Sequence, residues 1–105
     1  MWRISHNKGG VRLEGYAKQK IPGGKMLAIR VWYGDRLEKI EISGDFFMHP
    51  ESTLEKIESV LIGAKVNEKE SILIKLINNV IMSENAELVG ITPEAIASAV
   101  KAAIG

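Results

Sequence analysis

The stretch Lys25-Met26-Leu27-Ala28-Ile29-Arg30-Val31-Trp32-Tyr33 puts Leu27, Ile29, Val31 and Tyr33 on one side of an extended chain and Ala28, Arg30 and Trp32 on the other. Side chains alternate sides in a strand, so this is a strand with one buried face. Turn signals bracket it. Upstream, Pro22-Gly23-Gly24 joins a preset proline dihedral to glycines that accept positive ones. Downstream, Gly34-Asp35 is a second tight connection. Beyond the first turn, Val11, Leu13, Ala17 and Ile21 oppose Arg12, Glu14, Lys18 and Lys20, a half-buried strand with an interruption expected at Gly15. Beyond the second, Leu37 to Ser43 is a third strand. Its Leu37 is out of phase with Ile40 and Ile42, which predicts a bulge or a late start. Short links between three strands imply an antiparallel meander.

After Gly44-Asp45-Phe46-Phe47-Met48-His49-Pro50, read as a loop, the apolar period becomes helical. Leu54, Ile57, Val60 and Leu61 share a face, with Pro50 and Glu51 in the first turn and Gly63 as the stop. Asn67 and Glu70 have the spacing of a capping box, opening a helix whose apolar stripe is Leu73, Leu76, Ile77, Val80 and Ile81. Thr92-Pro93-Glu94 starts a third helix, which buries Ile96, Ala99, Val100, Ala103 and Ile104. All but three of the ten glycines precede residue 50, so composition changes once, from sheet to helix. The expected fold is α+β: a three-stranded antiparallel sheet followed by three helices packed on it. Residues 1–105 form one domain, with 1–10 an extended N-terminal arm.

Composition narrows the function. Fourteen Lys and Arg against 13 Asp and Glu leave a net charge of +1, which argues against a dedicated nucleic-acid binder. The absence of cysteine excludes a disulfide scaffold, a thiolate metal site and a Cys nucleophile. No apolar run approaches a membrane span, and the N-terminus lacks the apolar core of a signal peptide, so a cytoplasmic location is expected.

The chain offers little that could carry catalysis. Asp45 and His49 are four residues apart and could form an acid–base pair, but no third partner accompanies them. The plainer reading has Asp45 accepting hydrogen bonds at the strand-to-helix corner and His49 extended before Pro50. Gly23-Gly24-Lys25 suggests a phosphate loop, yet it lacks Walker spacing and leads into a strand, so a hairpin turn is the reading adopted. Phe46 and Phe47 are the only phenylalanines, adjacent where sheet meets helix. One is expected to enter the core; the other either plugs the corner or meets a partner. Trp2, Ile4, Trp32 and Ile74 add apolar surface beyond what a monomer requires, which points to an obligate partner.

Ile21-Pro22-Gly23-Gly24-Lys25, then Ile40-Glu41-Ile42-Ser43-Gly44-Asp45-Phe46-Phe47, then Leu61-Ile62-Gly63-Ala64, resemble in order the C-terminal accessory domain of lipoate-protein ligases. The resemblance covers roughly residues 8–82, with the Thr92-Pro93 helix a looser match. The chain starts at Met1 just ahead of this region and lacks the ligase's catalytic motifs, so it resembles the free-standing small subunit of a bipartite, archaeal-type ligase. The resemblance implies a non-catalytic but required subunit. ATP-dependent activation of lipoate to lipoyl-adenylate would then need it before transfer to a lysine of a lipoyl-domain protein. It also implies a heterodimer with a large catalytic subunit, which would hold lipoate, ATP and Mg, with no cofactor bound by this chain. No catalytic residue carries over. The expected interface is Gly23, Gly24 and Lys25 of the hairpin with Gly44, Asp45, Phe46, Phe47 and His49 of the corner. Two other classes stay open: a small ligand-binding regulatory or scaffold module, and RNA binding through Arg12, Lys18, Lys20, Lys25 and Arg30.

Overall fold

The computed structural model describes the backbone of residues 5–7, 10–21, 23 and 25–105, and the side chains within those ranges from residue 13 onward. Expectations placed on Trp2, Ile4, Pro22 and Gly24 lie outside the described residues. The principal sheet has four antiparallel strands in the order β1 (Ser5–Asn7), β2 (Gly10–Ile21), β3 (Lys25–Tyr33) and β4 (Leu37–Gly44). The expected meander is β2-β3-β4, and β1 adds a short edge beside it. A separate ribbon pairs β5 (Phe47–His49) with β6 (Glu87–Val89). The helices are α1 (Ser52–Leu61), α2 (Glu70–Glu84) and α3 (Pro93–Ile104).

The alternation in β3 is realised fully: Leu27, Ile29 and Val31 are completely buried. α3 packs across β2 and β3, α1 lies along β4, and α2 closes the layer against both other helices. Ile57 and Leu61 of α1, Leu73 and Ile77 of α2, and Ile96 and Val100 of α3 complete one continuous core. The bulge falls where the phase of Leu37 placed it. Trp32 faces Lys39 but Tyr33 faces Leu37, so Glu38 is the extra residue, and Leu37, Ile40 and Ile42 all reach the core.

Several boundaries differ from expectation. β2 runs without a break through Gly15. Its missing side chain serves the packing instead, because a Cβ there would collide with the Ala103 carbonyl at the end of α3. α1 starts at Ser52, with the Thr53 N–H donating to the Pro50 carbonyl at 3.0 Å to close the entry turn. The Asn67–Glu70 capping box is not formed, since Lys69 occupies the cap position and no side chain caps α2. α2 ends at Asn85 in the left-handed region, its N–H turned back to the carbonyls of Ile81 and Met82. At α3 the cap is as expected: Thr92 Oγ1 accepts from the Ala95 N–H at 3.1 Å. Ile74, expected to add apolar surface, is partly buried against the core, whereas Ile72 and Met82 are the exposed large apolar residues of α2.

Candidate functional site

The strand-to-helix corner read as a loop is an ordered crossing point. β4 ends at Gly44, which faces Leu27, and a Cβ on Gly44 would meet the Met26 carbonyl and the Phe46 ring. Glycine is therefore required there by close approach. Asp45 ties the corner to β3: its Oδ1 accepts from the Met26 N–H at 2.6 Å, and its own N–H donates to the Met26 carbonyl at 3.3 Å. After Phe46 the chain extends as β5, held by β6 through Phe47 opposite Val89, Met48 opposite Leu88 and His49 opposite Glu87.

Strand alternation then separates two faces. Met48 points inward, only 5% exposed, and Phe46 packs partly buried against the core. Phe47 points outward and is 53% exposed, beside Val89 at 52%. Of the adjacent phenylalanines, one goes in and one stays out. The His49 ring stacks on Phe47, centroids 6.4 Å apart and 13° from parallel, and the His49–Pro50 peptide is cis. With Asp45 engaged by Met26 and His49 by Phe47, the two residues serve different partners, and the acid–base pair is not assembled.

Beside Phe47 lies an apolar cleft of ≈ 350 Å³. Its walls are Ile42, Ser43 and Gly44 of β4, Phe46, Phe47 and Met48 of the corner, and Glu51 and Leu54 at the start of α1. The hairpin meets the same end of the molecule, because the Lys25 side chain lies along Gly90, next to the end of β6. Lys25, Gly44, Asp45, Phe46, Phe47 and His49 thus converge. Gly23, with positive φ, turns the hairpin two residues before Lys25, and Gly24 lies outside the described residues. Sequence reasoning missed Glu87, Leu88, Val89 and Gly90, whose three-residue alternation is too short to register as a strand.

The outer face of the principal sheet, away from the helices, also carries a shallow depression, bounded by Tyr16, Ala28, Arg30, Glu41 and Ser43. Arg30 lies over the Tyr16 ring at 5.6 Å and is registered opposite Glu41, while Lys39 lies over Trp32 at 4.8 Å. These cations cover their own aromatic neighbours, so the face is internally satisfied polar surface. Among the described residues no three His, Asp or Glu gather to hold a metal ion, and no helix is long and apolar enough to cross a membrane.

Fold and site together define a small α+β domain whose apolar cleft and exposed Phe47–Val89 pair sit at a sheet-to-helix corner. Comparison with known proteins adds a relative. Over 54 residues, 51% of its length, the chain is 33% identical to lipoate-protein ligase A subunit 2 of Thermoplasma acidophilum, and the matched stretch spans 57% of that relative. No family model matches. Among solved structures it is similar to a chain from the archaeal lipoylation system of Thermoplasma acidophilum, a bi-partite lipoate protein ligase and its E2 lipoyl domain. That likeness has a TM-score of 0.68 at 22% identity and covers 95% of this chain and 97% of the other. At such identity the structural likeness speaks for the fold. The resemblance drawn from the Gly-Gly-Lys hairpin and the Ser-Gly-Asp-Phe-Phe corner is borne out by a homologue of that description.

Proposed function

We propose that this chain is the accessory subunit of a bipartite lipoate-protein ligase, needed for the ATP-dependent activation of lipoate and acting in the cytoplasm. The observation that carries the reading is the sequence match to subunit 2 of such a ligase. The outward Phe47–Val89 pair supports it, since exposed aromatic and β-branched neighbours beside an apolar cleft suit a protein interface. A large catalytic subunit is the partner, docking over the corner and the hairpin end. Lipoate, ATP and Mg belong to the partner in this reading.

Activation joins the lipoate carboxylate to the α-phosphate of ATP and releases pyrophosphate, so two anions must be held close in a fixed orientation. A subunit without catalytic groups can favour that step by holding the partner's loops in the competent conformation. The test is lipoate-dependent pyrophosphate release by the large subunit alone and with this chain added. The reading expects release only from the mixture. Equal release from the large subunit alone would remove it.

A further inference from the structure

Resting on that docking role, we propose that the cleft beside Phe47 receives an apolar side chain of the large subunit flanked by a lysine or arginine. Ile42, Phe46, Met48 and Leu54 give the cleft an apolar lining, and its ≈ 350 Å³ has room for one large side chain. Anchors of that kind dominate interface energetics when they fill a desolvated pocket. Phe47 stands at the lip with Val89 across the ribbon, so the apolar surface continues out of the cleft.

The charge at the rim specifies the flanking residue. Glu51 is the single charged side chain lining the cleft, and it pairs with no cation among the described residues. Glu55 follows one helical turn along α1. Farther along the same edge lies Glu58, whose carboxyl is raised mainly by burial, with the charges of Glu41 and Glu55 adding to the rise. A cation brought against Glu51 beside an apolar wall gains more Coulomb energy than it would in open solvent.

Titration calorimetry of the same organism's large ligase subunit with the full chain tests this, run at about 50 mM and about 500 mM NaCl to bracket the screening of surface charge. Glu51→Lys should weaken binding about tenfold at the lower salt and much less at the higher. Phe47→Ser should weaken it about tenfold or more at both. Folding of both variants is checked by circular dichroism. If the wild-type complex forms and both folded variants bind within about twofold of it, the cleft proposal falls and the accessory role stands. If the wild-type chain forms no complex, both fall. Self-association of the chain that Glu51→Lys abolishes would also overturn the proposal, because the cleft would then serve a second copy.

Discussion

Glu58 sits where α1 runs along the edge strand, and its carboxylate accepts the outward Ile42 N–H at 2.8 Å in place of a further strand. Burial pushes its pKa up, the Ile42 hydrogen bond pulls the other way, and the carboxylates of Glu41 and Glu55 add to the rise. A carboxyl whose folded pKa lies above its unfolded value, about 4.3 for Glu, binds its proton more tightly when folded. The stability it contributes is complete below the unfolded pKa and is lost as pH rises through the folded one. Glu58→Gln keeps an acceptor for Ile42 and removes the charge. Urea unfolding should therefore show the variant gaining on the wild type as pH rises from the unfolded carboxyl's range toward neutrality. A constant difference across that range would mean Glu58 titrates alike in both states.

At the scale of elements, the end of α3 is fixed by two contacts with the sheet. The Ala103 carbonyl lies against Gly15 of β2, and the Tyr33 hydroxyl donates to the Ile104 carbonyl at 2.9 Å. Gly15→Ala puts a methyl into backbone, which no rotamer change relieves, so a loss of about 1–3 kcal/mol is expected in denaturant unfolding. Stability within about 0.5 kcal/mol of wild type would show that α3 is free to shift. These elements also show how far the sequence could be read. Strands β2 to β4, the bulge signalled by the phase of Leu37 and the Thr92 cap were legible because each follows from local periodicity or a local hydrogen bond. Gly15 was misread as an interruption because its reason lies 88 positions away along the chain, at Ala103. The β5–β6 ribbon was invisible for the same reason: Phe47 needs Val89, and neither three-residue segment has a period of its own. Of the candidate site, the corner and hairpin were readable, but β6 and the Glu51 rim needed the fold to bring them together.

For the molecule as a whole, the helices cover one face of the sheet, and the exposed Phe47–Val89 pair lies at the end where hairpin, corner and ribbon meet. In the proposed accessory role, such a domain offers a partner a shaped end, so its effect should fall on the step that needs the partner's site organised. Under the proposed function, activation of lipoate is that step. Transfer from a preformed mixed anhydride asks only that the adenylate be held open to an incoming lysine amine, which forms the amide and releases AMP. The most direct measurement gives the large subunit alone two substrates in parallel, lipoate with ATP and synthetic lipoyl-adenylate, and follows lipoylation of an acceptor lipoyl domain by mass. Modification is expected from lipoyl-adenylate but not from lipoate with ATP, with recovery of the latter when this chain is added. Equal modification from both substrates without this chain would contradict the accessory role.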